Sequence, residues 1–192
     1  APLPALAQDV FPPPADDADV VIIDQVVLGD VFANMDVVIV DNAEGASAAA
    51  TATGNTTTAT AHGNDLDFDV VQQQDGAVTA TTSLSGGTVY GGTASTTTTA
   101  YGNAASSSTD NGTVFSTVTQ TSNADVNASS QIDLDGADAV SANTTATANV
   151  VSYSSENGTN RGFTTQTGNA SVSATTDADI CCNTALRLFS KE

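Results

Sequence analysis

One template returns four times along this chain: Gln, four residues, then Asp or a small residue, Val, any residue, and a small residue. It reads QVVLGDVFA from Gln25, QQQDGAVTA from Gln72, QTSNADVNA from Gln120 and QTGNASVSA from Gln166, at intervals of 47, 48 and 46. A fixed period of this length is the signature of a repeat architecture, in which each unit buries its apolar face only against its neighbours.

A second series runs in the same register. Asn55, Asn103 and Asn149 recur at 48 and 46, and Asp75, Asn123 and Asn169 each follow 20 residues later. Each unit of ~47 therefore divides into two arcs. Turn signals mark the longer arc at His62-Gly63-Asn64, Asp110-Asn111-Gly112 and Glu156-Asn157-Gly158, and Asn-Gly is a strong turn dipeptide. Between the turns the pattern alternates with period two. Val78, Ala80 and Thr82 share one face, as do Val172 and Ala174, and Leu66, Phe68 and Val70 oppose Asp65, Asp67 and Asp69. That is strand patterning. Only CCNTALRLFSKE at the end could start a helix.

These patterns predict an all-β fold, a parallel β-solenoid. Beyond residue 45 bulky apolar residues are sparse, and Ala is the largest single part of the 40% hydrophobic content. The interior must then be thin and filled by Ala, Val, Thr and Ser. A circuit of ~47 residues around so small a filling would enclose a hole, so two rungs per repeat are expected. Recurrent Asn and Gln then have a reason: stacked in one corner of successive rungs, their amides bond to one another as ladders. The ladder and turn candidates are Asn55, Asn103, Asn123, Asn149, Asn169, Gln72, Gln120 and Gln166. Three segments follow: a Pro-rich extended arm over 1–19, the repeat domain over 20–180, and a Cys-Cys tail over 181–192, truncated or capping.

The first unit is atypical. The run from Val20 to Val40 is the chain's densest in Val and Ile, and FPPPADDAD precedes it. Terminal repeats must be capped or joined, so Phe11, Ile22, Ile23, Val38 and Ile39 are candidates for assembly.

Charge excludes some functions. The formal net charge is −19, with three Lys and Arg against 22 Asp and Glu, a field that repels nucleic acid and anionic membrane surfaces. Ala5-Leu6-Ala7 has the small-x-small form that ends an export signal, and the lack of Lys with the Thr, Ser and Asn richness fits an exported chain. No segment has ~18 continuous apolar residues, as a membrane helix requires.

Catalytic chemistry finds little footing. His62 is the sole His, which rules out a His-based metal site or triad and leaves it as a turn residue. GGTVYGG at 86–92 lacks the Lys-Ser/Thr of a phosphate-cradling loop. Asp133 and Asp135 lie on one strand face without an aromatic cleft for glycoside hydrolysis. Asp65, Asp67 and Asp69 are weak calcium candidates by donor type. No other metal and no cofactor is expected. Cys181 and Cys182 leave three readings open: a strained vicinal disulfide, separate bridges including one between subunits, or small apolar fillers. Three functions remain in view. They are a structural surface protein, a small-ligand or ice-binding solenoid using Thr-rich faces such as TTTT at 96–99, and a polysaccharide lyase or hydrolase that would have to rely on Arg161.

QTGNASV resembles the curlin repeat in its Gln and Asn ladder residues, with different spacing. The longer blocks, DQVVLGDVFANMDVV, ATATGN and ATTSLSGG, resemble the holdfast anchor family of stalked bacteria, of the HfaD type, over most of residues 20–182. That resemblance implies an exported, non-enzymatic cell-surface protein that fixes a polysaccharide adhesin to the outer membrane at the cell pole. It implies a homo- or hetero-oligomer with a curlin-like subunit and an outer-membrane secretion-type protein as partners, an extracellular polysaccharide as cargo, and no catalytic residues.

Overall fold

The computed structural model describes residues 18–181 and, for the backbone alone, Ala185–Lys191. Alternating Val, Thr and Ala produce strands nearly everywhere, because β-branched side chains suit a pleated, half-buried surface. Rung 1 comprises β1 (Asp19–Val27), β2 (Val31–Ala43) and β3 (Ala46–His62). Rung 2 comprises β4 (Leu66–Gln74) and β5 (Val78–Asp110), and rung 3 comprises β6 (Thr113–Ser122) and β7 (Val126–Glu156). Rung 4 holds β8 (Thr159–Gly168), β9 (Val172–Ile180) and β10 (Ala185–Lys191).

All rung-to-rung pairing is parallel. Val78 pairs with Val31 on one side and Val126 on the other, and Leu66 likewise with Asp19 and Val114. The chain is a parallel β-solenoid. The expected rung count needs correction: residues 46–48 apart are immediate neighbours, so each repeat makes one rung, not two.

The feared hole is avoided because the rung is flat. Residues 78–86 and 66–74 lie end to end on one side, and the long strand of residues 94–110 covers both from the other. Thr82 meets Thr98 through their hydroxyls, Thr96 meets Ser130, and Gln72 reaches the carbonyl of Ala104. The perimeter is spent on width, and two layers ~10 Å apart leave only the depth of two facing side chains to fill. Ala and Thr suffice for that over most of the rung. Larger residues fill the two ends, Leu84, Val89, Ile132 and Val140 at one and Leu66, Phe68 and Val70 at the other, with Val78, Val126 and Ala100 between. Val172 packs partly buried on the same middle cluster.

The turn closing the long strand uses a left-handed residue in successive rungs, Gly63, Asn111 and Asn157, at φ 76°, 60° and 55°. Asn is the side chain that tolerates this conformation best after Gly. The turns stack so closely that a Cβ at Gly158 would lie 1.7 Å from the Gly112 carbonyl oxygen.

The last segment also departs from expectation. Ala185–Lys191 is a strand paired with Ala139–Thr145 at the repeat offset of 46, not the start of a helix. Leu186, Arg187 and Leu188 alternate as a strand does, and the exposed edge of β7 offers a ready template.

Neighbouring outward side chains separate one rung per repeat from two. Thr58 and Ser106 hydroxyls stand 3.1 Å apart. With Cys181 and Cys182 changed to Ser, the Thr58→Cys/Ser106→Cys variant should oxidise to an intramolecular disulfide in high yield. A two-rung repeat would hold these positions ~10 Å apart, beyond disulfide reach, and no bridge would form.

Candidate functional site

Two polar columns run through the interior. Gln72 Nε2 donates to Gln25 Oε1 at 2.9 Å, Gln120 Nε2 to Gln72 Oε1 at 2.8 Å, and Gln166 Nε2 to Gln120 Oε1 at 2.8 Å. The amide nitrogen of each inner Gln also donates across the rung, Gln72 to the Ala104 carbonyl and Gln120 to that of Val150. Gln25 does the same to Thr56. Opposite them, Asn55 Nδ2 donates to Asn103 Oδ1 and Asn103 Nδ2 to Asn149 Oδ1, both at 2.7 Å. Each Asn also donates to the facing layer one rung further on, at the carbonyls of Gln73, Thr121 and Thr167.

These cross-layer carbonyls fix which way the amides that reach them point, since an oxygen turned toward them would be repelled, and Gln166 follows from its bond to Gln120 Oε1. The two columns therefore run with opposite polarity. Gln donors point toward the first rung, and Asn donors point away from it.

Asn123 and Asn169 belong to a third, outer column with Asp75. Asn123 Nδ2 donates to Asp75 Oδ1 and Asn169 Nδ2 to Asn123 Oδ1, both at 2.8 Å. The expectation that every recurring Asn shares one corner is thus corrected. One rung per repeat separates the two Asn series into an inner and an outer column.

Gln74 and Asp65 lack a repeat signal, whereas Asp30 and Asp125 occupy the Asp-or-small position of the template. Gln74 is fully buried and donates to the Gly76 and Ala124 carbonyls, yet its column reads Val27, Gln74, Ser122, Gly168. Asp30, Asp65 and Asp125 accept the backbone N–H of Ala77, Thr113 and Ser171, each on the next rung, at 2.7 to 3.0 Å. Turn-forming Asp residues are a recognisable class, but their partners lie a whole repeat away.

The calcium candidates separate accordingly. Asp65 is engaged with Thr113, whereas Asp67 and Asp69 face outward on β4. Among the described residues, no group of three or more His, Cys, Asp or Glu is placed to hold a metal ion. Asp67 stands between Val20 and Phe115 on neighbouring rungs. Burial, and secondarily the Asp69 carboxylate, raise its pKa above 3.8.

The first rung carries the other notable surface. Val20, Ile22, Val26, Leu28, Phe32, Val38 and Val40 are all exposed, Ile22 at 76% and Val40 at 87%. Of the assembly candidates, Ile22 and Val38 belong to this stripe. Ile23 and Ile39 face inward and pack on the end clusters, so the period-two pleat removes them from it. Phe11 lies outside the described residues, as does Cys182.

The long strand's outward face is hydroxyl-rich. Thr51, Thr99 and Thr145 form one column, and the adjoining one reads Thr53, Tyr101, Thr147. Tyr101 breaks the Thr-x-Thr array that an ice-binding face would need. Among the described residues no helix is long and apolar enough to cross a membrane.

A flat parallel solenoid tied by amide columns, with an apolar stripe on its first rung, defines a repeat scaffold. The family model of holdfast attachment protein D (HfaD) matches residues 40–190, and the chain belongs to that family. The family's role is holdfast attachment, which places the chain at the cell surface with the holdfast polysaccharide machinery. No curated protein and no solved structure matches the chain.

Two substitutions probe the geometry. Gln120→Ala strands the Val150 carbonyl and breaks two ladder bonds, so it should cost about 3 kcal/mol in denaturant unfolding. Outward Thr119→Ala should stay within ~0.5 kcal/mol. For Asp67, a raised folded pKa penalises the charged native state. The penalty is full above the folded pKa and absent below the unfolded one, near 3.8. Asp67→Asn should therefore raise the melting temperature at pH 7, and its advantage should fade as pH falls toward 3.8.

Proposed function

We propose that the chain is a non-enzymatic anchor that fixes an extracellular polysaccharide adhesin at the cell pole, on the extracellular face of the outer membrane. One observation carries this reading: the interior polar groups are spent on the solenoid itself. Gln72, Gln120, Asn103, Thr98 and Ser130 all bond to neighbours within the fold. Among the described residues only the Ser107 hydroxyl is buried without a partner. Catalysis needs positioned, uncommitted groups aimed at a substrate. A scaffold needs the opposite, and this interior fits a scaffold.

Attachment also requires a surface for partners. The exposed stripe of rung 1 is larger than isolated surface apolar residues and fits a protein interface. It serves assembly with a second copy or with a curlin-like subunit, and through these with an outer-membrane secretion-type protein. Export delivers the chain to that site, and no cofactor enters.

Deleting the chain in a holdfast-bearing cell tests this. Lectin-stained holdfast should be synthesised in normal amount but shed into the medium. The wild-type chain should restore retention, and Asp133→Asn/Asp135→Asn should restore it equally. Retained holdfast in the deletion strain would refute the anchoring role, and failure of the double Asp variant alone would reopen an enzymatic one.

A further inference from the structure

Rung 1 has an open side. Among the described residues no strand pairs with the outer edges of β1, β2 and β3. In the sequence before it, Pro12, Pro13 and Pro14 have no N–H to donate to a ladder. Long apolar edges of this kind are templates for pairing with another chain.

The residues along this edge are arranged nearly symmetrically about the turn at Gly29. Rotate a second copy by 180° about an axis through that turn, normal to the flat faces. Its β2 then lies antiparallel along β1, with paired residue numbers summing to 58. Because the sum is even, outward side chains meet outward ones. Val20 falls opposite the second copy's Val38, and Val26 opposite its Phe32. On the inner side Val21 meets Val37 and Val27 meets Val31. No carboxylate faces another: Asp24 meets Asn34, and Asp36 meets Ile22. Apolar and uncharged cross-strand pairs are the favourable ones, and like charges directly opposite are not.

β3 matches independently. Its burial alternation changes phase at Thr53-Gly54, so that Ala52 and Asn55 both face inward. A strand laid antiparallel on its own copy must therefore pair with an odd sum, 107, whose centre is that same Thr53-Gly54 step. β3 carries no charged residue between Ala46 and Ala61. The kink lies across the rung from the β1–β2 junction, since Asn55 bonds to the Gln73 carbonyl. One axis thus serves both layers.

We propose that two copies of this chain join first rung to first rung, by antiparallel pairing of β1 with β2 and of β3 with β3. This rests on the reading that rung 1 carries assembly, and names its occupant. The size is adequate. β3 has 17 residues, ~56 Å, and layers ~10 Å apart give ~560 Å² between backbones alone. The outward side chains bring this toward the ~800 Å² per partner of stable interfaces.

Sedimentation equilibrium of the full chain tests it. Wild type should be a dimer that tightens with added salt, because two chains of −19 repel and screening relieves it. Val26→Asp should weaken it roughly 30-fold or more, as truncation of a side chain at the centre of an interface does, with the circular dichroism spectrum unchanged. Phe163→Asp on rung 4 should leave the dimer intact. With Cys181 and Cys182 changed to Ser, Val20→Cys/Val38→Cys should oxidise to a covalent dimer, and neither single variant should. A monomeric wild type, or a dimer indifferent to Val26→Asp, overturns the proposal. If wild type is monomeric yet Val26→Asp cells shed holdfast, rung 1 still carries assembly and its occupant is a different protein. If Val26→Asp cells retain holdfast while the dimer is lost, the dimer stands and its place in anchoring falls.

Discussion

Everything in this molecule depends on the main-chain bonds between residues one repeat apart. An inner strand such as β4 is bonded to β1 below and β6 above, so the ladder supplies the main partners of its backbone polar groups, and side chains such as Asn55 and Gln120 add bonds to particular carbonyls. This releases the sequence from supplying a large apolar core. Ala80, Ala100, Ala128 and Ala146 can fill the middle of the rung because the layers are already held at their spacing by the ends and by the ladder. The cost is sensitivity to length. Where the offset changes from 48 to 46, between Val89 and Thr93, the surplus residues leave the ladder, and Tyr90 is exposed there.

The offset itself was legible in the sequence because residues in one column face the same demand. Gln25, Gln72, Gln120 and Gln166 recur since they share one column, in which the inner members Gln72 and Gln120 donate both along the axis and across the rung. Asn55, Asn103 and Asn149 recur for the mirrored reason. The shape of the rung was not legible. A period states which residues are neighbours along the axis and says nothing about which face each other across it. That is set by contacts such as Thr82 with Thr98 and Thr96 with Ser130, whose residue types are common throughout the chain. Ile23 and Ile39 illustrate the same limit on the surface. They belong to a visibly bulky block, but the pleat sends alternate members inward.

Division of labour follows from this construction. Interior chemistry is consumed by cohesion, so interaction with other molecules falls to outward side chains and to the open side of rung 1. Among the described residues the acids lie on the layer formed by β1, β4 and their neighbours, at the turns and on β9, while the long strand's outer face carries hydroxyls. A protein of −19 thereby presents one broad face almost without charge, next to an apolar terminal rung. Membership of a holdfast attachment family agrees with a body that is rigid along its length and adhesive in restricted places.

The opposed directions of the Gln and Asn columns bear on how such a body can be extended. A stack of aligned amides accumulates a dipole with every unit added, as a helix does. Within the interior a full rung adds one Gln and one Asn amide that point opposite ways, and these two contributions oppose one another across the narrow space between the layers. The inner columns therefore add no net dipole as repeats are gained or lost, and the one-way outer column of Asn123 and Asn169 lies exposed to screening by water. The number of rungs becomes free to follow the distance the protein has to bridge.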